Sequence, residues 1–176
     1  MRWFTPLLLS NILLLSQPLF AAELAFPETQ QEIEAALKPK LKARSFTPAS
    51  RGVSDKLSDD PPKVGALIQF DYNSANIRPS SFTLLQQYAK ALQNGLKTNK
   101  IKIAGHASSE GEDSYNYTLS YRRAQAVRSF LLALELPNNP EQRLIVEAFG
   151  EAQPIASNDN EADREKNRRV EFITME

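Results

Sequence analysis

The stretch from Ile101 to Val127 leaves this chain few ways to fold. Ile101-Lys102-Ile103-Ala104 is a short apolar-alternating run of strand type, followed by the polar, glycine-punctuated segment Gly105-His106-Ala107-Ser108-Ser109-Glu110-Gly111. A helical pattern then covers Asn116 to Leu134, with Ala124, Val127, Leu131 and Leu134 three and four apart. A strand that feeds a helix through a short polar loop belongs to a layered α/β structure, and such a junction is a common place for a ligand site. Asn116, Ser120 and Arg123 stand at i, i+4 and i+7, so they project from one face within two turns. That face lies near the helix N-terminus, where free N–H groups and the dipole favour a carboxylate.

The flanking segments extend the same architecture. Val64 to Phe70 is an apolar run of strand length, closed by the turn-formers Asp71, Asn73, Ser74 and Asn76. Pro79 and Ser80 open a helix whose apolar face is Phe82, Leu85, Ala89 and Leu92, and Asn94-Gly95 ends it. Leu144 to Phe149 and Arg169 to Thr174 read as further strands, separated by a polar loop. The expectation is an α/β fold of order β-α-β-α-β-β, a mixed sheet backed by helices, over residues 63–176.

Residues 1–21 have the order of a secretory signal peptide: Arg2, an apolar run from Pro6 to Phe20, then Ala21 and Ala22, with cleavage after one of these alanines. The run is interrupted by Asn11, Ser16, Gln17 and prolines and is too short for a spanning helix. No transmembrane segment is therefore expected in the mature chain; an uncleaved anchor is the alternative. Residues 22–62 read as a short amphipathic helix within Glu28–Leu41, carrying Ile33, Ala36, Leu37 and Leu41, followed by linker chemistry from Ala43 to Pro62. The chain has no cysteine, which excludes disulfides and lipidation on an N-terminal cysteine. Its 21 basic and 21 acidic residues balance, so no charge excess points to nucleic acid.

From Val64 onward the chain resembles the OmpA-like, peptidoglycan-associating domains of bacterial envelope proteins. The resemblance is carried by Phe70-Asp71-Tyr72-Asn73-Ser74-Ala75-Asn76-Ile77, by the Gly105-His106 loop, by Asn116-x-x-Leu119-Ser120-x-x-Arg123-Ala124, and by Asn167-Arg168-Arg169-Val170-Glu171. It implies non-covalent binding of the diaminopimelate residue of peptidoglycan stem peptides. Arg123 would take the carboxylate, since a guanidinium grips a carboxylate with two parallel hydrogen bonds. Asn116 would be a supporting polar contact, Asn73 would border the pocket, and Arg168 or Arg169 would lie close by. Each has an ordinary alternative use: Asn116 as a cap, Asn73 as a turn-former, the arginine pair as a brace for the last strand.

One position departs from the family pattern. The resemblance implies an aspartate that receives the ligand ammonium where this chain has Ser108. Exchanging a charge-assisted hydrogen bond for a neutral one weakens binding by roughly tenfold. Glu110, in the same loop and longer, is the candidate substitute, ahead of Glu112 and Asp113; a solvated acidic loop is the alternative.

His106, Ser108 and Glu110 do not make a hydrolytic triad on sequence grounds, because three residues within five positions rarely converge in hydrogen-bond reach. His106 is the single histidine, no metal site is evident and no cofactor is implied. The resulting expectation is a periplasmic, cell-wall-associated binding protein and not an enzyme, with residues 23–62 as a tether or as the arm that docks envelope proteins. The alternative is the same fold used as a protein-interaction module that does not bind the wall.

Overall fold

A computed structural model describes residues 24–39 and 60–175. The expected signal peptide and most of the expected linker lie outside the described residues. The elements run α1 (Gln30–Leu37), β1 (Lys63–Ala66), a 3-10 turn at Pro79–Ser81, α2 (Phe82–Gln93), β2 (Lys100–His106), α3 (Asp113–Leu132), α4 (Pro140–Arg143), β3 (Leu144–Gly150), α5 (Glu161–Asn167) and β4 (Val170–Met175). One four-stranded sheet has the order β1-β4-β2-β3. β2 and β3 are parallel and β4 is antiparallel to both β1 and β2, so the sheet is mixed and helix-backed, as the sequence predicts. Among the described residues no helix is long and apolar enough to cross a membrane.

The strands owe their places to burial. Ile101 and Ile103 of β2 and Phe172 of β4 are fully buried, and Phe172 stacks on Tyr88 of α2 with ring centroids 4.1 Å apart. Along α2, Leu85, Tyr88, Ala89 and Leu92 form the inward stripe at helical spacing. Phe82, expected in that stripe, sits at its edge instead and packs against Phe130 of α3 at 5.0 Å. β1 is shorter than the apolar run suggests. Pairing stops at Ala66, and Phe70 returns only as an isolated bridge to Ile77 that closes the turn between them.

Two segments do more than the sequence reading gives them. Residues 24–39, placed there with the linker, pack on the domain. Thr29 caps α1 by accepting from the Glu32 N–H while the Glu32 carboxylate accepts from the Thr29 N–H, a reciprocal capping box. Ile33 and Leu37 of α1 are buried in the common core. The Gly65 N–H donates to the Ala25 carbonyl at 2.8 Å, and the Phe26 ring occupies the space that a Gly65 side chain would need. The outer edge of β1 is thereby covered. The Thr174 hydroxyl donates to the Leu37 carbonyl at 2.6 Å and ties the end of α1 to β4.

The second segment is α5, read from sequence as part of a polar loop. Asn160 caps it, accepting from the Asp163 N–H at 2.9 Å, with acids in its first turn and Arg164 and Lys166 in its last. Cap and charge order supply what its missing apolar periodicity does not.

Arg143 joins the layers from the far end. Its guanidinium is buried and donates to the carbonyls of Leu92, Leu96, Asn99 and Pro137 at 3.0–3.2 Å. Three of these carbonyls lie at and just beyond the end of α2, where the dipole favours a cation. Burial pulls this guanidinium below its ordinary range, and the carbonyl oxygens compensate the charge.

Candidate functional site

The buried stripe of α3 is Asn116, Ser120, Ala124, Val127 and Leu131. It starts polar and turns apolar, so the helix is anchored by its second half while its first half presents buried hydrogen-bonding groups. Ser120 lies against the strand ends: its hydroxyl donates to the Tyr117 carbonyl at 2.8 Å and accepts from the Gly150 N–H at 3.1 Å. Gly105 of β2 passes so close to the Ser120 carbonyl that any side chain there would collide with the helix backbone. That close approach is the physical need behind a glycine at the end of β2.

Asn116, 3% exposed, uses its amide nitrogen twice. It donates to the Ser108 carbonyl at 3.2 Å and to the Glu151 carboxylate at 2.6 Å. The loop after β2 and the first residue after β3 are therefore fixed to the same point of α3. Ser108 itself is 4% exposed and lies where these segments meet.

Arg123 sits further along the helix, partly buried. Its Nε donates to the Ser74 carbonyl at 3.1 Å, and its Cζ lies 4.9 Å from the centroid of the Phe70 ring. Burial, and after it the positive charge of Arg168, pulls this guanidinium below its ordinary range. Arginine stays protonated regardless, so the shift marks a charge that an incoming anion would relieve. Among the described residues no carboxylate lies within salt-bridge distance of it.

The rim is built from loops. Asn73 is exposed with φ 54°, a left-handed turn position, and it contributes conformation: the turn it shapes delivers the Ser74 carbonyl to Arg123. Glu110 is exposed and ion-paired to Arg164 at 3.3 Å and to Arg168 at 3.6 Å. Both arginines also pair with Glu161. Of the two adjacent arginines, Arg168 thus faces the rim. Arg169 is buried and donates from Nε to Glu171 at 2.8 Å and from Nη2 to the Gln153 carbonyl at 3.0 Å, as a brace for β4.

His106 packs in the same buried cluster, stacked on Phe149 with centroids 5.2 Å apart. Its Nε2 is 3.5 Å from Glu171, but neither ring nitrogen has a hydrogen-bond partner among the described residues. The Glu171 carboxylate is engaged by Arg169, and burial, followed by the charges of Arg169 and Lys63, pushes the imidazole down to about 3. It is neutral, and its nitrogens make no bond to Ser108 or Glu110.

The structure therefore gathers Ser108, Asn116, Arg123 and Arg168 around the first half of α3, with Asn73 and Glu110 at the rim. The sequence reading did not single out Phe70 and Ser74 as the seat of Arg123, Glu151 as the partner of Asn116, or Asn167 as a support. Asn167 is fully buried, accepts from the Ile155 and Ala156 N–H groups at 2.9 and 3.1 Å, and donates to Asn158 at 3.0 Å. Asn158 in turn accepts from the Ser109 N–H at 3.2 Å, so the second loop holds the first. The position of Asn167 just before the arginine pair is the one signal the sequence offers for it.

The OmpA family matches residues 69–168, a span that holds Asn73, Ser108, Asn116, Arg123, Glu151 and Arg168 alike. The peptidoglycan-associated lipoprotein of Pseudomonas aeruginosa is 30% identical over 124 residues, covering 70% of this chain and 71% of that protein. Outer membrane porin F of Pseudomonas fluorescens is 35% identical over 104 residues, covering 59% of this chain. The chain spans only part of the longer relatives, 31% of porin F and 51% of outer membrane protein A of Bordetella avium. Among solved structures, the peptidoglycan-associated lipoprotein of Burkholderia pseudomallei superposes with a TM-score of 0.54 at 29% identity, covering 61% of this chain and 88% of that one. A periplasmic domain of Helicobacter pylori MotB gives 0.57 at 25% identity, covering 66% and 83%. With the match extending over more than half of its length and the same fold in these neighbours, this chain belongs to the OmpA family.

Proposed function

We propose that this protein binds peptidoglycan non-covalently, taking the diaminopimelate residue of a stem peptide beside the first half of α3, and so holds an envelope component at the cell wall. The observation that carries the reading is Arg123: partly buried, seated on Phe70 and Ser74, near a second arginine and without a carboxylate partner among the described residues. Such a group is preorganised for an anion, because its cost of burial is already met in the free protein. Arg168 adds charge at the rim, with Glu110 holding it in place. Asn116 and Ser108 line the floor, and Asn73 shapes the turn above. The names of relatives in Pseudomonas and Burkholderia, peptidoglycan-associated lipoproteins, support the same ligand class. A periplasmic location facing the wall follows from this reading.

The alternative, a protein-interaction module docking through α1, has less support, since the apolar face of α1 is occupied by the domain's own core. The test is calorimetric titration of the purified protein with a diaminopimelate-containing muropeptide. Saturable binding is expected, and Arg123→Ala should lower affinity about a hundredfold, the value of two charge-assisted hydrogen bonds. Absence of binding by folded wild-type protein would overturn the reading and redirect attention to protein partners.

A further inference from the structure

The ammonium of a zwitterionic ligand also needs an acidic partner, and position 108 supplies only a neutral serine. The carboxylates around this part of the fold are mostly committed to cations. Glu110 pairs with Arg164 and Arg168, Glu161 with the same two arginines, Glu171 with Arg169, and Asp71 with Arg78. Glu112 and Asp113 are exposed at the start of α3. Glu151 differs from all of these. It is half-buried, and among the described residues its partner is a neutral amide, the Asn116 side chain at 2.6 Å.

That amide also binds the Ser108 carbonyl, so the Glu151 carboxylate and residue 108 meet at one nitrogen. The backbone before Glu151 is fixed as well, since the Gly150 N–H donates to the buried Ser120 hydroxyl and the Gly150 carbonyl accepts from the Ala107 N–H at 2.7 Å. Asn116 and Arg123 are seven residues apart, about 10 Å along the helix axis. The Arg123 guanidinium is seated on the Ser74 carbonyl and the Phe70 ring, so the two charged groups stand at different points along α3.

We propose that Glu151 is the ammonium-binding residue of the site, and that it supplies the negative charge that Ser108 lacks. The ligand class is a zwitterionic amino-acid terminus carrying both carboxylate and ammonium. This assignment rests on the wall-binding reading above and adds a residue and a charge requirement to it.

The experiment compares Glu151→Gln with Glu141→Gln, an exposed acid in the first turn of α4 outside the site, on a muropeptide with a free diaminopimelate amine and on the same muropeptide N-acetylated at that amine. Gln at 151 keeps an acceptor for Asn116 while removing the charge. The expected result is about a tenfold loss of affinity for the free amine in Glu151→Gln and no more than about twofold change in Glu141→Gln. The acetylated ligand should bind wild type and Glu151→Gln equally weakly. Unchanged binding of the free amine by Glu151→Gln would overturn the assignment. So would equal weakening toward both ligands, which would mark Glu151 as merely structural. If wild type binds neither muropeptide, the wall-binding reading itself falls, and this assignment with it.

Discussion

His106 and Arg143 show how a buried basic residue can be held at opposite charge states by its surroundings. Arg143 keeps its charge because four carbonyls converge on it. His106 has no hydrogen-bond partner among the described residues and two cations near it, so it stays neutral. The consequence is a defined acid lability. An unfolded imidazole takes up a proton as the pH falls through 6.5, whereas the folded one resists until about 3. The folded-state value is depressed, so the contribution to stability is complete above 6.5 and is lost progressively as the pH drops toward 3. Urea midpoints of wild type should therefore fall across that window, and those of His106→Leu should fall less. Parallel curves would assign the lability to carboxylates instead.

At the level of elements, α1 is the informative case. An eight-residue helix with two buried apolar side chains would be marginal alone. Its stability comes from the capping box at Thr29 and from Ile33 and Leu37 entering the core beside α2 and β4. Ile33→Ala should accordingly destabilise the whole domain by about 3 kcal/mol, read from urea unfolding, because the cavity would open in the shared core. A loss below about 1 kcal/mol would mean that α1 packs only loosely. The helix that bears the site divides its work along its length. α3 is held by Ala124, Val127 and Leu131, which frees Asn116 and Ser120 to serve as a polar floor.

For the molecule as a whole, formal charge is balanced, so the proposed wall binding rests on short-range contacts along α3. Raising salt from about 50 mM to about 500 mM should weaken muropeptide binding by only about threefold, since buried and half-buried pairs are screened far less than exposed ones. A hundredfold loss would indicate a diffuse electrostatic mode that these contacts do not explain. The order of strands and long helices was legible in the chain itself, because periodicity in burial is a local property. So was the polar start of the α3 stripe, since Asn116, Ser120 and Arg123 are aligned by helical spacing alone. Which charges meet was settled in space. Glu110 pairs with Arg164 and Arg168, and Asn116 with Glu151, across separations in sequence that no local pattern reports. The entry of α1 into the core and the division of labour between Arg168 and Arg169 belong to the same class. A burial period is written into neighbouring residues, whereas an ion pair depends on distances that exist only once the loops after β2 and β3 have been brought to the same end of α3.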